Sequence, residues 1–329
     1  MYRDFSTKIV GVAQTYARER EYWINKLSGE PARSFFPYDN KHGTGQVGDK
    51  APLKGKMAFK ITGRLFSRLK EVSTGSDHTL HVILAAALTV LLGKYTGNRD
   101  IILGVPVYKQ EEDAEAEFVN TVLAIRNRIK PGGTFKELLY QVKDTLLTAH
   151  DHQNYPIEKL AEEIVPGFTG PGEDFPLFDV TLLLENIHDK RYIKHIRHNM
   201  TFSFLTKENL LEGNLEYNWS RYREATVKQI AGHFINLLKN VLYGLDIPLA
   251  GVDILSEEEK KEILVDFNDT ETPYPQDKTI HELFEDQVEQ TPDNTAVVGP
   301  LPIKNRTYMT YMTYISYREL NKRSNQLAY

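Results

Sequence analysis

The chain has 329 residues, 41% hydrophobic and 26% charged, the composition of about two globular domains able to bury a core. Its formal charge is -5, with lysines and arginines scattered rather than gathered; it lacks the basic footprint that a phosphate backbone demands, so nucleic acid is not an expected partner. It has no cysteine, which excludes a disulfide framework, a thiol nucleophile and cysteine-ligated zinc and fits a reducing compartment.

The opening stretch, MYRDFSTKIVGVAQTYARERE, is charged throughout and has no signal-peptide core. The longest apolar run, Val82 to Leu92 with one threonine inside it, falls short of the roughly 20 residues that cross a bilayer, so a cytoplasmic location and no membrane partner are expected. From about Thr15 to Leu27 the residues Tyr16, Trp23 and Leu27 sit among charges as on an amphipathic helix ended by SGEPARS. In the loop that follows, GTGQVG (residues 43–48) satisfies G-x-G-x-x-G. A dinucleotide site needs a strand before those glycines and a helix after them. FFPYDNKH and DKAP provide neither, and a plain loop is expected.

MAFKI alternates like a short strand, and HTLHVILAAALTVLLGKY is apolar on nearly every side, predicting a helix buried among other elements and capped by Ser76 or Asp77. IILGVPV is a continuous apolar run typical of an interior strand. After the acidic run EEDAEAE, a solvated loop, FVNTVLAIRNRI resumes with a period of two. Val119, Thr121, Leu123, Ile125 and Ile129 fall on one face, with Asn120, Arg126 and Arg128 on the other. Asn120 there either satisfies a strand edge or lines a channel.

Thr134 and Glu137 have capping-box spacing before the stripe Phe135, Leu138, Leu139, Val142 and Leu146. That helix runs into HDHQNYPIEKL, residues 150–160, where two histidines, amides and a glutamate crowd around one proline. Tyr155 precedes Pro156 and is pushed from helical dihedrals, while Pro156 suits the first turn of a new helix. The stretch reads as helix, corner and helix, with His150, His152, Gln153 and Asn154 placed to satisfy the unpaired backbone groups of the two ends.

LFDVTLLLEN reads as a buried strand, and in LEGNLEYNWS Leu211, Leu215, Tyr217 and Trp219 alternate with polar residues as on a half-exposed one. A long helix carries Val227, Ile230, Ala231, Phe234, Leu238, Val241 and Leu242 on one stripe. Interleaved helices and strands give an α/β class. At Ser256 the character changes: SEEEKKEIL is a short charged helix with Ser256 and Glu259 as a capping box, and DFNDTETPYPQDK resembles a linker. TIHELFEDQVEQTPDNTAVV then reads as helix, turn and strand, and SYRELNKRSNQLAY as a further helix.

The strong local signatures of zinc and serine hydrolases, H-E-x-x-H and G-x-S-x-G, are absent, as is His-His-x-x-x-Asp-Gly. His78 with His81, and His195 with His198, have helical metal-ligand spacing but no third ligand nearby, so they are expected to be surface or capping histidines and no metal site is expected.

With these segments placed, the order HTLHVILAAALTVLLGKYTGNRDIILGVPV, EFVNTVLAIRNRI, HDHQNYPIEKL and PLFDVTLLLEN resembles the second half of nonribosomal peptide synthetase condensation domains. YRDF, carrying Tyr2 and Asp4, resembles that family's Y-x-D-Y motif. AHDHQNYPIEKL resembles its H-Q-D-Y-P-F-E motif, which puts His152, Gln153, Pro156 and Glu158 on motif positions. The stretch from LSEEEKKEIL to YRELNKRSNQLAY resembles the junction into an adenylation domain. The family's R-D-x-S-R-N-P-L is shortened here to EDFPLF, and its His-His-x-x-x-Asp-Gly lies upstream of every motif present.

The resemblance implies the C-terminal lobe of a two-lobed, chloramphenicol acetyltransferase-like fold over residues 1–255, a linker over 256–279 and the start of an adenylation domain over 280–329. It implies participation in amide-bond formation between acyl and aminoacyl thioesters. The partners implied are peptidyl carrier proteins with their phosphopantetheine arms, the N-terminal condensation lobe and the adenylation domain; no directly bound cofactor is implied. Asn120 and the region His152 to Glu158 would line a substrate tunnel, with no catalytic residue in this chain, which is therefore expected to be inactive alone. The alternatives are a carrier-protein docking or scaffolding module without chemistry and, less well supported by any placed residue, a free-standing acyltransferase using another histidine.

Overall fold

The computed structural model describes residues 16–29, 34–40, 54–109, 120–168, 173–273, 275–300 and 312–328. Two compact units divide the chain, residues 1–261 and 262–329. The glycine-rich loop at 43–48, the acidic run after Gln110, and Tyr2 and Asp4 lie outside the described residues.

The first unit is organised by a mixed six-stranded sheet in the order β1-β6-β5-β4-β2-β3. Its strands are β1 (Lys54–Ile61), β2 (Asp100–Pro106), β3 (Val122–Arg128), β4 (Val180–Leu184), β5 (Met200–Lys207) and β6 (Leu210–Asn218). β2, β4 and β5 run parallel to one another; the pairs β1–β6, β5–β6 and β2–β3 are antiparallel. Parallel strands need covered faces, and all five residues of β4 are buried. Around the sheet stand α1 (residues 16–27), α2 (Gly63–Val72), α3 (Asp77–Thr96), α4 (Phe135–Asp151), α5 (Ile157–Ile164), α6 (Glu224–Tyr243) and, at its end, α7 (Glu257–Leu264).

α3 carries the core. Ser76 caps it by accepting from the Thr79 N–H, and Gly97 ends it in the left-handed region at φ 69°. It is long and apolar enough to cross a membrane by length and composition, and two thirds of that stretch is buried inside this fold (67%). α6 lays Phe234 against Phe202 and Phe204 of β5, ring centroids 5.6 Å apart in each case. The stripe Val227, Ile230, Ala231, Phe234, Leu238, Val241 and Leu242 is buried as its period predicts.

Two readings of periodicity need correction. β3 does not expose one face: six of its seven residues are buried. Arg126 donates two hydrogen bonds to Asp100 (2.8 and 2.7 Å) and two to the carbonyls of Lys26 and Ser28 (3.3 and 2.6 Å), so the end of α1 covers the polar face on which alternation placed it. β6 does alternate, but it ends at Asn218 and Trp219 is 58% exposed just beyond it.

The second unit has α8 (Ile280–Gln290), the antiparallel pair β7 (Thr295–Pro300) and β8 (Met312–Ser316), and α9 (Tyr317–Leu327). Glu282 accepts from both the N–H and the hydroxyl of Thr279 at the start of α8, and Ser316 caps α9.

Candidate functional site at the carboxyl ends of β2 and β4

In parallel α/β sheets, ligands settle beyond the carboxyl ends of the strands. Here β2 leads to Tyr108 and β4 to His188, and those two residues bridge one another. Val107 N–H donates to the Thr121 carbonyl at 3.0 Å and Lys109 N–H to that of Ile187 at 2.9 Å. The start of β3, the N-terminus of α3 and the C-terminus of α4 meet at the same end.

The corner between α4 and α5 is the best-braced part of this region. His152 is the C-cap of α4, and its carbonyl accepts from the Trp23 indole at 2.7 Å. Its imidazole stacks on Tyr22 (centroids 4.1 Å, 15° apart) and its Nδ1 lies 3.1 Å from the Glu19 carboxylate. Both side chains are largely buried, 11% and 6% exposed. Gln153 N–H donates to the His150 carbonyl at 3.3 Å. Pro156 stands one position earlier than the expected first turn: it is the N-cap of α5, at φ -61° and ψ 125°. The pyrrolidine fixes φ for the helix that follows while ψ remains extended. Tyr155, fully buried, donates to Glu163 at 2.6 Å, and Arg20 pairs with the same carboxylate at 2.8 Å, so α1 clamps α5 as well as the corner.

Asn120 is buried just ahead of β3, where its Oδ1 accepts from Val122 N–H at 3.2 Å. Its neighbour Thr121 donates to the Tyr192 carbonyl at 2.9 Å. Three residues later in that crossover between β4 and β5, His195 Nε2 lies 3.1 Å from Glu158. Hydrogen bonding from His195 holds the Glu158 carboxyl below the usual carboxylate range. The crossover therefore draws together the start of β3 and the start of α5, and with them Asn120 and Glu158.

His195 is 44% exposed, as expected of a surface histidine, but His81 and His198 are buried and correct that expectation. His81 is fully buried in α3 with neither ring nitrogen hydrogen-bonded, 4.5 Å from the ring of His188. His150 does not cap the corner; it stacks on Tyr108 at 3.9 Å, with His188 stacked at 5.4 Å and His78 edge-on at 4.6 Å to the same phenol ring. Burial pushes His81 down to about 3 and His150 to about 4, and it lowers His188 too, reinforced by His81 and His150. These rings are neutral at pH 7. His198 is buried, 2.8 Å from the Ile196 carbonyl and 2.6 Å from the Thr201 hydroxyl. Among the described residues no group of three histidines or carboxylates is placed to hold a metal. The cluster around Tyr108 left one trace in the sequence: a histidine, His81, inside a helix otherwise apolar on nearly every side.

The shortened segment EDFPLF leads to a second polar knot. Asp179, fully buried, accepts from Tyr38 at 2.9 Å and from Asn199 at 2.7 Å; Asp174 takes Arg197 at 3.3 Å and lies 4.0 Å from Arg221. Arginines from other segments thus face the acid of this stretch.

The condensation domain model matches residues 1–264. The chain belongs to the condensation-domain family of nonribosomal peptide synthetases. It is 34% identical over 335 residues to gramicidin S synthase 2 of Brevibacillus brevis, covering 96% of this chain and 7% of that protein. It is 33% identical over 332 residues to bacitracin synthase 3 of Bacillus licheniformis, covering 94% of this chain and 5% of the relative. The chain thus spans less than a tenth of either synthase. A four-domain nonribosomal peptide synthetase bound to AMP and glycine shares the fold with TM-score 0.67 at 17% identity, covering 94% of this chain and 24% of that one. The X-domain from teicoplanin biosynthesis does so with TM-score 0.61 at 20% identity, over 77% of this chain and 61% of its own. A mixed α/β condensation fold is thereby assigned to the first unit.

Proposed function

We propose that residues 1–255 are the second lobe of a condensation domain and form one wall of the passage in which an acyl thioester meets the amine of an aminoacyl thioester. Both reactants would arrive on phosphopantetheine arms of peptidyl carrier proteins. The observation that carries this reading is how the histidines at the carboxyl ends of β2 and β4 are used: His81 and His188 are buried, His150 is half-buried with its Nε2 inaccessible, burial lowers all three, and His152 and His195 face carboxylates. Such an edge positions reactants; it does not offer a base for the attacking amine. The proton-handling histidine would come from a first lobe carrying His-His-x-x-x-Asp-Gly, and Asn120, His152 and Glu158 would shape the facing wall.

Residues 280–329 would be the opening of an adenylation domain, a reading supported by the greater coverage in the four-domain synthetase than in the isolated X-domain (94% against 77%).

The test is reconstitution. The chain is mixed with two loaded carrier proteins, with and without a separately produced first lobe, and amide product is followed by mass spectrometry. Product only when both lobes are present is expected. Product from this chain alone would overturn the reading, and carrier binding without turnover in either mixture would favour a docking module.

A further inference from the structure

We propose that the cleft between α3 and α4 is a binding site for a medium-chain aliphatic carboxylate. The cleft, open to solvent along one side, has a volume of about 560 Å³, inside the range of small-molecule pockets, which are mostly apolar with a few placed polar groups. Val82 and Ile83 of α3 form one wall and Leu139, Leu146 and Leu147 of α4 the other, with Tyr108 among the lining residues.

α4 has two apolar stripes where the core uses one. Phe135, Leu138, Val142, Leu146 and Ala149 are buried in the fold. Tyr140 and Leu147, at the cleft, remain 66% and 55% exposed. Exposed apolar side chains that flank a cavity mark a surface with something to cover it.

The occupant's charge follows from the lysines. Lys136 and Lys143 line the cleft two helical turns apart on α4, on the side of Leu139, Tyr140 and Leu147. Lys136 is paired only loosely, 3.5 Å from an Asp246 that is 80% exposed, and Lys143 has no ion pair among the described residues. Among the described residues no carboxylate lines the cleft, so an anionic head is attracted and a cationic one is not. The occupant's size follows from the helix: from Lys136 to Leu147, α4 rises about 16 Å. That length suits a single extended chain with its head group and is short for a docked partner helix of several turns.

Decanoate is the probe. Titrated calorimetrically into the full chain below its micelle concentration, it should bind one to one and saturate. Lys143→Glu and Leu147→Asp, both at exposed positions, should each weaken it at least tenfold with the circular dichroism spectrum unchanged. Decyltrimethylammonium should bind at least tenfold more weakly than decanoate. The proposal is overturned by no saturable heat, by equal binding of the anionic and cationic probes, or by decanoate affinity unmoved in both variants. A dimer that Leu147→Asp disperses and decanoate does not compete would also overturn it, by assigning the face to a second copy of the chain.

Discussion

His81→Phe isolates the consequence of burying an unpartnered imidazole. In the folded chain His81 is inaccessible to solvent, its nitrogens make no hydrogen bond, and burial lowers it to about 3, helped by His150 and His78. In the unfolded chain an imidazole titrates near 6.5. Between those values the unfolded state binds a proton that the folded state refuses, so stability is whole above about pH 7.5 and declines as pH falls through 6.5 towards 3. At pH 5 the gap from 6.5 amounts to about 2 kcal/mol for this one residue. Phe has no proton to gain. Its effect at pH 8 combines relief of two unpaired nitrogens, about 1–3 kcal/mol, with overpacking of similar size, so the informative quantity is the change with pH. Trp23 and Trp219 are the only tryptophans and both lie in the first unit, so their fluorescence in urea reports that unit alone. Relative to wild type, His81→Phe should gain about 2 kcal/mol between pH 8 and pH 5. An identical difference between the two proteins at both pH values would refute the reasoning.

Two further substitutions probe how the site is held. His152→Ala removes the stack on Tyr22 and the hydrogen-bond contact with the buried Glu19 side chain; leaving a buried polar group unsatisfied costs about 1–3 kcal/mol, so the urea midpoint of the first unit should fall accordingly, and an unchanged midpoint would show the corner to be braced by Trp23 and Glu163 alone. Gly104→Ala places a Cβ 2.3 Å from the Phe178 ring inside β2; with the sheet packed on both sides the clash should cost about 3 kcal/mol, read from thermal melts, and an unchanged melting temperature would show that the ring turns aside freely.

Helices and strands were legible wherever one local pattern decides the outcome. The capping pairs Thr134 with Glu137 and Ser256 with Glu259 hydrogen-bond reciprocally in the structure, because a cap needs only residues within one turn. The α6 stripe and the two-sided apolarity of α3 were readable for the same reason. Where the outcome depends on a distant segment, the pattern failed. Period-two reading placed Arg126 on the polar face but not its partners, since nothing within β3 announces that Lys26 and Ser28, about a hundred residues earlier, will cap it with carbonyls.

The corner in HDHQNYPIEKL shows what decides between chemistry and architecture when the residue types permit both. A histidine works on a substrate when one ring nitrogen is oriented by a partner and the other is open to the reactant. His152 has the oriented nitrogen, toward Glu19, but its ring lies against Tyr22 and is 11% exposed; His150 has a ring nitrogen with no partner at all, yet that nitrogen is buried. The two conditions fall on two different residues, two positions apart, and neither ring meets both. What they do meet is a structural need: a helix ending beside a proline must turn sharply, and a turn held by a stack, an indole hydrogen bond and a buried carboxylate keeps Glu158 and the start of α5 in register with Asn120 and β3. At this corner, then, the described contacts of His150 and His152 are those of architecture: both rings pack against tyrosines, and His152 also faces Glu19.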